Sequence, residues 1–386
     1  MASLKARILI VGTGGVGAMA AYALEIGGKA EVTAVLRSNF AAVQERGFNI
    51  DSIEHGHDIK GWRPTDIRTT IPDVVKENLQ PFDFVLVTTK NISDIPPSVS
   101  DLIKPAVTPG TTAIVLSQNG LNIEKPLILN FPTNPIISSI SMISATELGH
   151  GNILHDDRDI QEIGQFLSAN VPGDVAACAA RRYVEVYNGC GKLNIKYEED
   201  VLRSRWRKLV YNASYNTVAA VIRMDTGRMR ASRHIIDDLV LPIMLEITAV
   251  AKAVGVELPP EVADHFIRVD PIKNEFKPMC IGRTDTPTIT TVVIIILRIS
   301  STEILAAPAF EMVTCSASVP ARSAVVVVVP VKALELSRAA VVIMTLLHGS
   351  TLTVIVAEVM VVAASTEIEL WNPTKKSTQN HNHWIA

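Results

Sequence analysis

A six-residue apolar run, ARILIV at 6–11, passes directly into Gly12-Thr13-Gly14-Gly15-Val16-Gly17 and then into AMAAYALEI. No other stretch restricts the fold so strongly. A short unbroken apolar run reads as a strand buried on both faces, and the residues after the glycines favour helix. Strand, glycine turn and helix in that order open a dinucleotide-binding βαβ unit. Gly12 permits the tight turn, Gly14 lets backbone approach a pyrophosphate, and Gly17 lets helix and strand pack closely. Thr13, Gly15 and Val16 complete the loop, and the N–H groups and dipole of the helix start would face the phosphates.

The next strands carry informative ends. EVTAVL at 31–36 stops at Arg37, where an NAD-binding chain places a carboxylate on the ribose 2′-hydroxyl. An arginine there fits the 2′-phosphate instead, so the expected cofactor is NADPH. FDFVLVTT at 82–89 ends in Lys90, and TTAIVLS at 111–117 ends in Gln118-Asn119-Gly120. Ligands of an open parallel sheet bind beyond the carboxyl ends of its strands. Lys90 and Asn119 are therefore candidates to meet the nicotinamide ribose or a substrate, the alternatives being a solubilising lysine and plain turn chemistry.

Further on, RWRKLVYNASYNTVAA spaces Lys208, Asn212 and Asn216 four residues apart. On a helix these project from nearly one face, offering an ammonium and two carboxamides to a small oxygen-rich substrate. A solvated helix face is the plainer alternative.

Taken together, GTGGVG at 12–17, LR at 36–37, VTTK at 87–90, SQNG at 117–120, GHGNI at 149–153 and WRKLVYNASYN at 206–216 resemble the ketopantoate reductase family over about residues 5–281. The resemblance implies a Rossmann domain followed by a helical domain, and NADPH-dependent reduction of the 2-oxo group of ketopantoate to pantoate. By position it implies Lys208 as general acid. Asn119, Asn212 and Asn216 would contact substrate, and Lys90 would lie beside the nicotinamide end. A lysine serves this way if burial lowers its pKa towards neutrality. Reduction of another 2-oxo acid, such as 2-oxoisovalerate, and a catalytically impaired NADP(H)-binding protein remain the alternatives.

The expected fold class is α/β: a doubly wound parallel sheet over 1–199, a mostly helical domain from 200 to 282, and an anomalous segment over 283–386. GNILHDDRDIQEIGQFL reads as the start of a hairpin, YVEVYNG as a later extended piece, and 232–255 as a helix stopped by Gly255. Pro259-Pro260 opens a further short helix. With 386 residues and 48% hydrophobic content the chain can bury two cores. A net charge of −3 gives no sign of nucleic acid or of an acidic membrane surface. Cys178, Cys190, Cys280 and Cys315 lack metal spacing and read as small buried side chains in a reducing compartment. His381 and His383 read as tail residues and not metal ligands, and the first apolar run is too short for a signal-peptide core. A cytoplasmic enzyme without metal is the expectation; nothing in the sequence sets the number of subunits.

Past Arg283 the chain changes character. Glycine and asparagine vanish as far as His348 while TVVIIILRI, AVVVVVPV and AVVIMTLL accumulate. These β-branched runs favour strands, lack the usual turn residues between them, and fall short of the ~18–20 apolar residues that span a bilayer. A shifted reading frame or translated intron accounts for this composition, with a divergent tail as the alternative. The family pattern also carries a serine near this point and then a glutamate on a helix. Here Pro278 runs directly into Met279, and the nearest glutamate, Glu303, is displaced. Thr226 stands where some members place another substrate asparagine.

Overall fold

The computed structural model describes residues 5–91 and 96–269, together with the backbone of three short strands further on. The chain divides into two compact units, 1–318 and 319–386.

In the first unit, β1 (Ala6–Val11) lies between β2 (Ala30–Val35) and β6 (Phe84–Val87), parallel to both. With β5 (Asp66–Arg68), β7 (Ala113–Leu116), β8 (Ile136–Ser141), β11 (Ile160–Phe166) and β12 (Asn194–Tyr197) they form an eight-stranded sheet of order β12-β11-β8-β7-β6-β1-β2-β5. Only the β8–β11 pair is antiparallel. Alternate residues along the central strands face opposite layers. Ile8, Ile10, Phe84 and Leu86 pack on α1 (Gly15–Ile26) and α5 (Gly173–Tyr187), while Leu9, Val11, Val85 and Val87 pack with Ile103 of α3 (Val99–Ile103) and Leu127 of α4 (Lys125–Asn130). Burial on both faces is why these strands read as unbroken apolar runs, each large side chain contributing roughly 1.5–3 kcal/mol.

Three expectations fail here. Residues 152–166 are no hairpin: β10 (Asn152–Asp157) joins a second, four-stranded sheet of order β4-β3-β10-β9, whereas β11 belongs to the large one. That smaller sheet, with β3 (Phe48–Ser52), β4 (Gly56–Trp62) and β9 (Ser144–Gly149), captures β10 through parallel pairing to β3. YVEVYNG is likewise not extended, because 183–187 end α5. Ala176, Ala180, Tyr183 and Tyr187 recur at helical spacing and are buried, which overrides the β preference of two valines. Cys178 is exposed on the opposite face and Cys190 half-buried, so neither is the core side chain expected.

Helices take over at Val201, as expected. They are α6 (Val201–Tyr211), α7 (Thr217–Ile222), α8 (Thr226–Ala231), the single turn α9 (Arg233–Ile235), α10 (Leu241–Ala253) and α11 (Val262–Val269). Their apolar faces meet in a separate core of Val210, Tyr215, Met229, Met244 and Phe266. Gly255, at φ 85°, ends the long helical stretch where the sequence indicated.

In the second unit the backbone forms an antiparallel trio, β13 (Ala324–Val327), β14 (Ala339–Leu346) and β15 (Leu352–Val359). Two of the three β-branched runs thus form strands. TVVIIILRI, Pro278-Met279, Cys280, Cys315, Glu303, His381 and His383 lie outside the described residues.

Candidate active site

The chain leaves β1 for β2 on one side and later returns to β6 on the other. A crevice opens at such a switch, outside the carboxyl ends of the strands. Gly12 (φ 100°) directly follows β1, and a Cβ there would lie 2.8 Å from Thr89 Cγ2. A Cβ on Gly17 would lie 2.0 Å from the Gly12 carbonyl oxygen, so helix and strand close up only because both residues lack one. Gly14 faces open space: a Cβ there would meet no atom of the described residues within 4 Å. It begins a helix whose first turn carries no acid. That is the geometry a pyrophosphate requires.

The remaining loop residues divide differently from the expectation. A Cβ on Gly15 would meet the Ala145 carbonyl oxygen of β9 at 2.1 Å, so this glycine serves the packing of the smaller sheet. Thr13 turns its hydroxyl inward to donate to the Val35 carbonyl at 2.7 Å, and its carbonyl accepts from Asn39 Nδ2 at 2.9 Å. Its side chain therefore holds the loop and is not offered to a ligand. Val16 is half-buried in the first turn of α1.

Arg37 is exposed just past β2, and Lys90 is exposed just past β6. The strand-end loops are stitched together. The Thr88 hydroxyl donates to the Gly12 carbonyl, and Gln118 Nε2 donates to the Thr89 carbonyl at 2.6 Å.

The cleft holding the expected acid lies further along the same edge, lined by Gln118, Asn119, Gly120, Ile140, Arg205, Lys208, Leu209 and Asn212. Asp200 caps α6 by accepting from the Arg203 N–H at 3.1 Å. Lys208 is half-buried, its Nζ donating to the Ser141 carbonyl at the end of β8. Burial first, and the neighbouring Arg205 charge second, bring its pKa down to about 8.

The structure therefore brings Asn119, Lys208 and Asn212 together. Asn216 sits one turn on, its Nδ2 donating to Asn212 Oδ1 at 3.2 Å, with its own Oδ1 buried and lacking a hydrogen-bond partner among the described residues. The expected regular helix does not run through both asparagines: Asn212–Asn216 is a π-helical turn, within which Ser214 Oγ donates to the Val210 carbonyl at 2.5 Å. Thr226 is fully buried at the start of α8 and does not line this cleft.

Sequence reasoning missed the ion pair beneath the site. Arg205, 5% exposed, meets the fully buried Glu124 at 2.5 Å and donates from Nε to Ser138 Oγ at 3.1 Å. Its NH1 donates to the carbonyls of Gln118 at 2.9 Å and Gly120 at 3.1 Å. Arg205 lies three residues before Lys208, the only local signal available; nothing marked Glu124. Among the described residues, no group of three His, Cys, Asp or Glu is placed to hold a metal ion.

The profile of "Ketopantoate reductase PanE/ApbA" matches residues 8–168, and that of its C-terminal domain matches 200–279. The chain belongs to the ketopantoate reductase family, and with it to the NAD(P)-dependent oxidoreductases acting on CH–OH groups. It is 34% identical over 298 residues to uncharacterized protein YDL144C of Saccharomyces cerevisiae, across 71% of this chain and 82% of the relative. Among solved structures, 2-dehydropantoate 2-reductase from Geobacter metallireducens superposes with a TM-score of 0.60 at 26% identity, covering 70% of this chain and 84% of that one. D-mandelate dehydrogenase with NADH and anilino(oxo)acetate shares the fold, with a TM-score of 0.59 at 18% identity over 71% of this chain and 83% of its own. The family binds a nicotinamide cofactor.

Proposed function

We propose that this protein reduces a branched 2-oxo acid with NADPH, with 2-dehydropantoate as first substrate and (R)-pantoate, the precursor of pantothenate, as product. The observation that carries the reading is a half-buried ammonium, held near neutrality, sharing one cleft with two carboxamides. The crevice residues fit the cofactor: Gly14 and the start of α1 would take the pyrophosphate, Arg37 the 2′-phosphate, and Lys90 would lie towards the nicotinamide ribose. When bound, the cofactor supplies the hydride for the carbonyl carbon.

Lys208 does the rest of the acid–base work. Below about pH 8 it is an ammonium, able to stabilise charge on the carbonyl oxygen and donate its proton there. Asn119 and Asn212 bond carboxylate and hydroxyl oxygens without adding a charge that competes with the ammonium. Asn216 supports this grip by orienting Asn212.

A second reading, 2-oxoisovalerate as substrate, draws support from Ile140 and Leu209, which give the cleft an apolar wall suited to an unhydroxylated branched chain. We assign the Rossmann domain to 1–199 and the helical domain to 200–282, and place the enzyme in the cytoplasm. Among the described residues, no helix is long and apolar enough to cross a membrane.

Oxidation of NADPH and of NADH, followed with 2-dehydropantoate, 2-oxoisovalerate and phenylglyoxylate, tests the reading. Fastest turnover of 2-dehydropantoate with NADPH supports it. A preference for 2-oxoisovalerate selects the second reading, and cofactor binding without turnover of any acid overturns both.

A further inference from the structure

Asn119 and Lys208 come from different halves of the chain, one on the loop after β7 and one on α6. Something must hold them in register. The guanidinium of Arg205 reaches both elements. It grows from α6 one turn before Lys208, about 5–6 Å away between Cβ atoms. Its NH1 bonds the carbonyls of Gln118 and Gly120, the residues on either side of Asn119. Its Nε lies against Glu124 and Ser138, and the Ser138 hydroxyl donates to the same Glu124 oxygen. A planar fork spreads five donors over three nitrogens and so reaches a backbone loop and a carboxylate on opposite sides; a lysine has three donors on one nitrogen.

We infer that Arg205, seated on Glu124, is the positioning residue of this site: it clamps the Asn119 loop to the Lys208 helix and keeps a fixed second cation beside the reacting ammonium. The inference rests on Lys208 being the proton donor. The Arg205 charge also acts on Lys208: second to burial, it lowers the proton affinity of the amine. The Arg207–Glu162 pair, at 2.6 Å on the same helix, ties α6 to β11. A plain structural staple would account for the ion pair but not for its donors bracketing Asn119.

The test uses the full chain and three variants. R205M/E124L removes both charges together, because exchanging a buried pair for apolar side chains is well tolerated whereas deleting one partner strands the other. Competitive acetylation of Lys208, read by mass spectrometry across pH, reports its protonation without cofactor or turnover. In R205M/E124L the labelling midpoint should rise, because the second cation is gone. Using the better 2-oxo acid of the panel above, kcat/KM should fall about 10²-fold, as a misplacement of about 1 Å can cause. NADPH affinity should stay within about twofold, which also establishes that the variant is folded. R205K restores the charge but not the fork, so the midpoint should return while kcat/KM stays low. An unmoved midpoint with kcat/KM within about twofold of the parent overturns the inference. K208A separates the two ideas: if it keeps parental turnover, the proton-donor reading itself fails, whatever the double variant does.

Discussion

Replacing Lys208 by methionine should damage catalysis and strengthen the fold in the same molecule. The amine has its pKa lowered from 10.5 to about 8, mainly by burial. That displacement corresponds to about 3 kcal/mol of disfavoured charge. The sign follows from linkage. Below pH 8 the lysine is protonated in both states, so the folded chain carries the whole cost; as pH rises from 8 to 10.5 only the unfolded chain holds the proton, and stability climbs. Methionine fills a similar volume without the charge. It also loses the bond to the Ser141 carbonyl, worth about 1 kcal/mol net, so roughly 2 kcal/mol of stabilisation should remain at pH 7. Urea unfolding at pH 7 and pH 10 measures this directly, and the gain should shrink at the higher pH. In parallel, kcat for oxo-acid reduction should fall by about two to four orders of magnitude, and parental activity should decline as pH passes about 8. A variant less stable than the parent at pH 7, with undiminished kcat, would refute both the desolvated amine and its role as acid.

Other substitutions probe the crevice and the core. Arg37→Asp should weaken NADPH binding by roughly 10²-fold while improving NADH binding, since the guanidinium on the 2′-phosphate is exchanged for a carboxylate on a hydroxyl; an unchanged ratio of the two dissociation constants would remove Arg37 from the cofactor site. Gly17→Ala places a methyl 2.0 Å from the Gly12 carbonyl oxygen. It should cost about 2–3 kcal/mol in urea unfolding and abolish measurable NADPH binding, and a variant that binds normally would contradict the close approach. Asp159, buried and bonded to Gln161 and Tyr187, has its carboxyl pushed up to about 6 by burial. Its contribution is therefore intact below about pH 4 and lost as pH rises through 6, by up to about 3 kcal/mol. Asp159→Asn should raise stability at pH 7 relative to pH 4 when compared with the parent, and parallel pH curves for the two proteins would dismiss the buried carboxylate.

Much of the nucleotide half was legible because its signals are local. ARILIV is buried on both faces, so its apolar run coincides with β1, and Gly12 and Gly17 are glycines for the steric reasons their spacing implied. The role of Gly15 was hidden because the backbone it meets, at Ala145, belongs to a sheet the sequence did not announce. For the same reason β10 and β11 looked like one hairpin: strand pairing is decided by partners far along the chain. In the cleft, Lys208 and Asn212 share a face that spacing reveals. Arg205 and Glu124 became meaningful only once folding brought them to 2.5 Å.

The turn at Asn212–Asn216 accommodates one residue more than a regular helix would. Upstream, α6 is anchored to the sheet through Arg205; downstream, Tyr215 and Val218 are locked into the helical core. Deleting a single residue there would let the turn close into a regular helix and leave what lies beyond it nearly in register. The Lys208 end and the Tyr215 end of this turn are thus held by separate packing surfaces, one an ion pair and the other the helical core.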